Sequence, residues 1–245
     1  MRLAIISDIH GNFVALQAVL DHIRAQSADE IVCLGDIVGY GPDPRRCLTT
    51  VRRECSVIVL GNHEEAVLFP QYHERIFNEL ALRALRFTCI ELNYAHDEFF
   101  KALPQFAWNE EHRLMFAHAS FNDEEDFPYI DGPEAALYQL GRTKQDDTRV
   151  FFIGHTHEPF VCSEKEGGVG CDGETPLLEG DRFVINVGSV GQPRDEDVRA
   201  CYGLLDTDDW TFAMHRVKYD VQGVVQQMAD VGLPEELSSR LFIGA

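Results

Sequence analysis

Short apolar runs alternate with amphipathic segments through the first sixty residues. The apolar runs end in polar residues or glycine, which is typical of buried strands. The segments between them carry apolar residues at helical spacing, and the second begins with proline in its first turn. The predicted strands are Arg2–Ser7, Ile31–Leu34 and Val57–Leu60, and the predicted helices are Phe13–Gln26 and Pro44–Arg53. This order predicts a parallel sheet with right-handed crossovers.

The pattern changes in the rest of the chain. It is helical from Glu74 to about Lys101, and a last helix is predicted at Val221–Val231. Strand-like runs fall at Leu114–Ala117, Val150–Ile153, Phe183–Val187, Cys201–Leu205 and Trp210–Val217. No helical segment separates the last three runs, so we expect a second sheet that is more antiparallel than the first.

No repeat, low-complexity tract or linker divides the chain, so residues 1–245 are predicted to form one α/β domain. Residues 70–112 and 119–148 are expected to form lids or walls around a site. Residues 163–181 are rich in acidic residues and glycine, and we expect them to form an exposed excursion.

Composition narrows the function. The 245 residues are 45% hydrophobic, enough for a packed core, and carry a net charge of −20. That charge argues against binding to long nucleic acid or anionic membranes, which requires a basic surface. No apolar run is long enough to span a bilayer or to form a signal-peptide core. Seven cysteines without a CxxC pair predict reduced thiols and a cytoplasmic protein.

Five segments share one form, a short apolar run followed by a turn with metal-ligand side chains. They are Asp8-x-His10, Gly35-Asp36, Gly61-Asn62-His63-Glu64, Ala117-His118 and Gly154-His155-Thr156-His157. The carboxyl ends of strands in an α/β sheet converge on one rim, where active sites form. The side chains offered are too many for one ion and about right for two ions that share an aspartate.

Each segment alone has an ordinary explanation. Asp36 can cap a turn, Asn62 can hold a left-handed turn, and a lone histidine such as His118 is usually structural. The interpretation of all five segments as one metal site is stronger, because every segment follows a strand-like run and together they contain half of the ten histidines.

The motifs DIHGN, GDIVGYGPDP, GNHE, HAS, GHTH and NVGSVGQPRD occur in this order. Together they resemble the calcineurin-like metallophosphoesterases, most closely the small bacterial and archaeal phosphodiesterase branch. The resemblance implies a four-layer α/β-β/α sandwich of two mixed sheets, with a dinuclear metal site at the rim between them. It assigns Asp8, His10 and His157 to one metal, Asn62, His118 and His155 to the other, Asp36 as the bridge and His63 as the general acid.

Imidazole and carboxylate ligands suit Mn, Fe, Zn, Co or Ni better than Mg. Two such ions roughly 3.5–4 Å apart can hold a hydroxide for in-line attack on phosphorus. The resulting site would carry about one net positive charge, which favours an anionic phosphoryl group. A protonated His63 would then assist departure of the leaving oxygen.

The choice of substrate rests on one departure from the phosphatase pattern. Residues 35–41 contain no arginine, and a dianionic monoester gains most from an arginine clamp. We therefore expect a small, nucleotide-like phosphodiester as substrate. A phosphomonoesterase or dinucleoside polyphosphatase on the same metals is the alternative, and a non-catalytic scaffold is a third. Glu64 matches the phosphatase motif, but we interpret it as a first-turn helix residue favoured by the helix dipole.

Three residues are expected to bind substrate: Arg194, Tyr40 and Asn12. Arg194 can supply the missing cation or pair with Asp195 or Asp197. Tyr40, together with Phe121 and Tyr129, can stack on a base or simply pack in the core or at its rim. Asn12 also stands where it can cap the first helix. The oligomeric state is left open.

Overall fold

The computed structural model describes residues 1–73, 77–93, 96–122, 127–170 and 173–245. The start of the helical pattern predicted at Glu74 lies outside this part of the chain. The strands are β1 (Arg2–Ile6), β2 (Glu30–Cys33), β3 (Val57–Ile58), β4 (Phe106–Asn109), β5 (Leu114–Ala117), β6 (Val150–Ile153), β7 (Phe160–Ser163), β8 (Gly167–Val169), β9 (Glu174–Pro176), β10 (Phe183–Asn186), β11 (Ala200–Asp206) and β12 (Thr211–Val217). The helices are α1 (Phe13–Ala25), α2 (Pro44–Glu54), α3 (Asn62–Leu68), α4 (Pro70–His73), α5 (Glu79–Leu92), α6 (Asp97–Lys101), α7 (Pro133–Leu140), α8 (Val221–Asp230) and α9 (Glu235–Ser239), followed by a 3₁₀ turn (Arg240–Phe242).

The strands form two six-stranded sheets, with orders β3-β2-β1-β11-β12-β9 and β4-β5-β6-β10-β7-β8. The first sheet pairs β1 with β2 and β2 with β3 in parallel, and the second does the same with β5, β6 and β10. The remaining pairs in both sheets are antiparallel.

The expectation of a more antiparallel second sheet was therefore wrong. It treated β10, β11 and β12 as sheet neighbours because they follow one another along the chain. Instead the chain crosses between sheets after β10, and β11 pairs with β1. Local periodicity identifies a strand but carries no information about which distant strand it pairs with.

The side chains of β1 show how the layers are built. Ala4 and Ile6 pack with the apolar faces of α1 and α2, whereas Leu3 and Ile5 face the core between the sheets. This alternation follows from the two-residue period of a strand that is buried on both faces. The far side of the second sheet is covered by α7. Two mixed sheets with helices on both outer faces confirm the predicted α/β-β/α sandwich.

The segment 163–181 carries two edge strands that its sequence did not predict. β8 pairs with β7 of the second sheet, and β9 pairs with β12 of the first, so the segment links the sheets along one edge. Many of its side chains are exposed, but Asp181 is buried and accepts a hydrogen bond from Ser163 Oγ.

The α8–α9 segment packs against α5 and one face of Tyr40 through a small apolar cluster. The apolar face of α8 thereby helps to fix a loop near the rim of the sandwich. Among the described helices, none has both the length and the apolar character needed to cross a bilayer.

Candidate active site

Loops at the ends of β1, β2, β5 and β6 meet at one rim of the sandwich. The backbone N–H of His10 donates to Asp36 O (2.9 Å), which joins the first two loops. The N–H of Gly154 donates to His118 O (2.8 Å) within the second sheet. The N–H of His155 donates to Asp8 Oδ2 (3.0 Å), which links the two sheets. The ligand-type residues that the sequence placed after separate strands are thus neighbours.

Five of these residues adopt left-handed backbone conformations, with φ between 48° and 69°. They are Asp8, His10, Asp36, His155 and His157. Such a conformation costs a non-glycine residue about 1–3 kcal/mol and persists where the surrounding structure imposes it. Strained backbone of this kind is concentrated at functional sites, and here it turns successive side chains toward one point.

Three imidazoles are oriented by backbone carbonyls. The Nδ1–H groups of His10, His118 and His157 donate to Val38 O (3.1 Å), Leu34 O (2.9 Å) and Gln192 O (2.6 Å). A neutral ring that donates through Nδ1 presents a lone pair at Nε2, and this is the arrangement of metal-ligating histidines. All three Nε2 atoms point into the rim between the sheets.

Asp8, His10 and His157 form the first cluster. The Nε2 atoms of His10 and His157 are 2.9 Å apart, and Asp8 Oδ1 lies 3.3 Å from His157 Nε2. Asp8 Oδ1 is buried without a hydrogen-bond partner. Burial and the neighbouring His157 hold the pKa of His10 well below its usual value, so its ring is neutral. Burial alone would raise the pKa of Asp8, but His157 and His118 keep it low. Two facing lone pairs beside a carboxylate fit a divalent cation.

Asn62, His118 and His155 form the second cluster, beside Asp36. His118 Nε2 lies 3.0 Å from Asn62 Oδ1 and 3.1 Å from His155 Nδ1. Burial opposes a charge on His118, but Asp36 outweighs it and raises the pKa of His118 to about 9. Burial and His118 lower the pKa of His155 to about 3, and its buried Nε2 has no partner. A cation here would take the place of the proton on His118.

Asp36 lies between the two clusters. Its Oδ2 is 3.7 Å from His10 Nε2 and 3.4 Å from His118 Nε2, so one oxygen faces both sets of ligands. Its Oδ1 accepts the backbone N–H of His63 (2.9 Å). Burial would raise the pKa of Asp36, but His118 and His63 hold it well below its usual value. The nitrogen and oxygen donors on both sides suit divalent transition metals.

His63 stands beside the clusters, in the first turn of α3. Its ring centroid lies 4.7 Å from the rings of His10 and Tyr40 and 5.1 Å from that of Phe77. Burial lowers the pKa of His63 to about 4. A Cβ at Gly39 would lie 2.2 Å from His63 Nδ1, so this close packing requires glycine there. Aromatic side chains thus surround the ring on several sides.

A cavity of about 260 Å³ opens over the two clusters. Tyr129 forms part of its wall and stacks on the ring of His155, with centroids 4.3 Å apart. Phe77 and Phe127 supply further aromatic wall, and Tyr40 and Arg194 line another part. Arg194 Nη2 donates to Gln192 Oε1 (3.1 Å), and its guanidinium also hydrogen-bonds Tyr40.

The acids that Arg194 might have paired with have other partners. Asp195 binds Arg216, and Asp197 binds Arg199 as well as Arg216. The guanidinium of Arg194 therefore faces the cavity instead of these acids.

Asn12, which was expected to bind substrate, and Phe121, which was expected either to stack on a base or to pack in the core, are not among the residues described as lining the cavity. Asn12 is buried, caps α1 by accepting the N–H of Ala15 (3.1 Å) and donates to Gly191 O (2.9 Å). Both ends of its amide are thus engaged by backbone, and it is not among the residues that line the cavity. Phe121 is also buried, with its ring against Phe151 in the core below α7.

Sequence reasoning missed Phe77 and Phe127 as parts of the site, and it interpreted Glu64 only as a first-turn helix residue. Phe77 lies in the segment with the predicted helical pattern and Phe127 in an irregular one, and nothing in the sequence distinguished either from other aromatic residues. Glu64 did carry a signal, because an acid at the third position of a helix can accept backbone N–H groups that precede it. It accepts the N–H groups of Asp36 and Gly61, which lie in two different loops.

The comparisons with known proteins agree with this geometry. A family model, the calcineurin-like phosphoesterase superfamily domain, matches residues 1–210. The crystal structure of a metallophosphoesterase from Sphaerobacter thermophilus is 35% identical and covers 100% of both chains with a TM-score of 0.86.

Two curated relatives extend over nearly the whole chain. An uncharacterized protein of Methanocaldococcus jannaschii is 35% identical over 248 residues, which are 99% of this chain and 98% of the relative. Phosphodiesterase YfcE of Escherichia coli is 28% identical over 236 residues, which are 94% of this chain and 98% of the relative. The chain therefore belongs to the calcineurin-like phosphoesterase superfamily, as its motifs predicted, and is a metal-dependent phosphoesterase.

Proposed function

We propose that the protein is a dinuclear-metal phosphodiesterase that cleaves a small, nucleotide-like diester. The observation that carries this proposal is Asp36 Oδ2, which faces both the first and the second cluster at the base of the cavity. The similarity to a phosphodiesterase over nearly the full chain supports it.

Each cluster would hold one ion, with Asp36 shared between them. Mn, Fe, Zn, Co and Ni all suit these ligands, and Mn²⁺ is the first choice for assays. When bound, two such ions supply a nucleophile derived from water and neutralise charge on the phosphoryl oxygens.

The chain's own residues would provide the rest of the reaction. His63 borders the cavity and would give its proton to the leaving oxygen. Burial lowers the pKa of this ring, but a phosphate anion bound beside it favours the protonated form. General acid catalysis of this kind contributes about 10²–10⁴-fold to a rate.

The cavity wall favours a diester with an aromatic substituent. Arg194 is the single arginine or lysine among the residues described as lining the cavity, and it can bind a phosphoryl oxygen of the diester. Tyr129, Phe127 and Phe77 offer ring faces against which a base or aryl group can pack. The net charge of −20 disfavours long nucleic acid as a substrate, and we place the activity in the cytoplasm.

The test is a pair of initial rates, on an aryl phosphodiester and on the matching monoester, with Mn²⁺ and with chelator. We expect a metal-dependent rate several-fold higher on the diester. A preference for the monoester would contradict the proposal and favour a phosphomonoesterase or dinucleoside polyphosphatase, with Arg194 as the next residue to substitute.

The variant His63→Ala tests the proton donor in the same assay. It should keep its metal content and lose about 10²-fold or more on an alkyl diester, with a smaller loss on an aryl diester whose leaving group needs little protonation. Wild-type rates of His63→Ala on the alkyl diester would show that the assignment is wrong.

A further inference from the structure

Glu64 is a fully buried carboxylate to which the proposed reaction gives no part. It lies in the first turn of α3, and its two oxygens accept four backbone N–H groups. Oε2 accepts from Asp36 (2.8 Å) and Gly61 (3.2 Å). Oε1 accepts from Ile37 (2.9 Å) and Val38 (3.1 Å). One side chain thus holds three consecutive amides of the loop after β2 and the residue before α3.

The two loops hold each other reciprocally. While Glu64 accepts the N–H of Asp36, Asp36 Oδ1 accepts the N–H of His63 (2.9 Å). The fit leaves no room for a side chain at Gly61, where a Cβ would lie 2.3 Å from Asp36 Oδ1 and 2.7 Å from Glu64 Oε2. The loop after β2 can therefore move little relative to α3.

Two of the amides that Glu64 holds belong to residues with direct contacts in the site, Asp36 and Val38. The other oxygen of Asp36, Oδ2, faces both clusters. The carbonyl of Val38 accepts the Nδ1–H of His10 and so sets the ring orientation of that ligand. A shift of residues 36–38 would move the shared oxygen and turn the His10 ring at the same time.

We infer that Glu64 is a positioning residue that fixes Asp36 Oδ2 between the two clusters. This role rests on the proposed metal pair. It follows from geometry, because four backbone N–H groups converge on this one side chain, and none of these hydrogen bonds involves an imidazole of the two clusters.

The chemistry of the four contacts requires a carboxylate of this length. Glutamine would replace one acceptor oxygen by an NH₂ group that faces two N–H donors, and two buried amides would lose their partner. Aspartate keeps both acceptor oxygens but is shorter by one methylene. Glu64→Gln should therefore displace the loop more than Glu64→Asp does.

The experiment is a metal titration followed by two readouts that do not depend on activity. Mn²⁺ is added to the wild type and to each variant, bound metal is counted by elemental analysis after equilibrium dialysis, and magnetic coupling between the ions is followed by electron paramagnetic resonance. The wild type should bind two ions with a coupled signal. Glu64→Gln should bind its second ion at least tenfold more weakly and lose the coupled signal, and Glu64→Asp should recover part of the coupling.

Asp181→Asn is the matched control. Asp181 is also a buried carboxylate, and it accepts hydrogen bonds from the N–H of Arg182 (2.8 Å) and from Ser163 Oγ (2.6 Å), away from the clusters. The variant Asp181→Asn should lower the melting temperature as Glu64→Gln does, and it should still bind two coupled ions. Melting temperatures recorded for all variants distinguish unfolding of the protein from displacement of Asp36 in a folded protein.

Two results would overturn the inference about Glu64 alone. One is a coupled pair in Glu64→Gln with wild-type affinity, and the other is an equal loss of coupling in Asp181→Asn. If Glu64→Gln does not fold, full wild-type coupling in Glu64→Asp at equal Mn²⁺ concentration would count against it. A wild type that binds no coupled pair would instead refute the proposed dinuclear site, and the role of Glu64 with it.

Discussion

The first and second clusters use similar side chains but are held in different ways. In the first cluster both imidazoles are fixed by backbone carbonyls through Nδ1 and are almost fully buried. In the second cluster His118 is fixed in this way, whereas His155 stacks on Tyr129, whose side chain is 58% exposed. Ligands that are fixed before binding lose less conformational entropy when the ion arrives. We therefore expect the first cluster to hold its ion more tightly and the second to exchange it more readily.

The largest effect is expected from Asp36→Asn, which removes the carboxylate that both clusters share. The change should prevent binding of the proposed pair of metal ions. It should lower kcat by about 10³-fold or more, since both the nucleophile and the charge neutralisation depend on the two metals. Steady-state rates and bound metal measure it. Retention of two ions at a wild-type rate would show that Asp36 is not shared.

The comparison is sharpened by two ligand variants, His10→Ala and His155→Ala. If the first cluster binds more tightly, His155→Ala should keep about one ion per chain after gel filtration, and His10→Ala should keep almost none. Removal of one ligand should weaken binding of the affected ion by about 100-fold or more. This loss exceeds the one expected when a hydrogen-bond partner of a ligand is removed. Equal metal losses in the two variants would mean that the clusters are equally strong.

A smaller effect is expected from Tyr129→Ala, which removes the ring that supports His155. Aromatic stacking contributes about 0.5–1.5 kcal/mol, so the second ion should bind about 2–10-fold more weakly, and KM for an aryl diester should rise. Tyr138→Ala is the control, because Tyr138 is similarly exposed, at 63%, but lies on α7 and is not among the residues lining the cavity. Metal titration and KM should be unchanged in the control.

The smallest effect is expected on the stability of the fold, from a substitution at Asp197. This residue lies outside both clusters, so its variant serves as a control for metal binding. A hydrogen bond from Arg199 lowers the pKa of Asp197 from 3.8 to about 2. Because the folded pKa is lowered, the ion pair stabilises the fold above about pH 4 and its contribution is lost as the pH falls toward 2.

Asp197→Asn should therefore cost less than ~1 kcal/mol of unfolding free energy at pH 7, since the pair is partly exposed. Denaturant unfolding of both proteins at pH 7 and at about pH 3 would show the difference shrinking at the lower pH. A difference that grows on acidification would have the wrong sign. Metal affinity should be the same as in the wild type.

The parts of the site that depend on local structure could be predicted from the sequence. Strands β5 and β6 were predicted with their observed bounds, and His118 and His155 follow them as expected. The structure brings the ligand residues together because each stands at the carboxyl end of a strand that enters the rim, and this is visible in a window of a few residues.

The features of the site that could not be predicted from the sequence depend on contacts between distant segments. Phe121 and Tyr129 look alike as aromatic residues near a ligand segment, but Phe121 packs in the core below α7 whereas Tyr129 lines the cavity. Asn12 was expected at the substrate, but its amide is taken up by Ala15 and by Gly191, which is far away in sequence. The partners of Glu64 were hidden for the same reason.

The pairing of β1 with β11 has a consequence for how the chain folds during synthesis. β1 lies inside the first sheet, with Arg2 opposite Asp206, so one of its edges stays open until β11, far along the chain, has been synthesised. Contacts this distant in sequence slow folding, and an open hydrophobic edge invites pairing with other chains. β11 begins at Ala200, so all the proposed metal ligands, from Asp8 to His157, are synthesised before β1 gains its second neighbour. A ribosome that stalls before β11 would therefore release an aggregation-prone fragment that carries all the proposed metal ligands on an unfinished sheet.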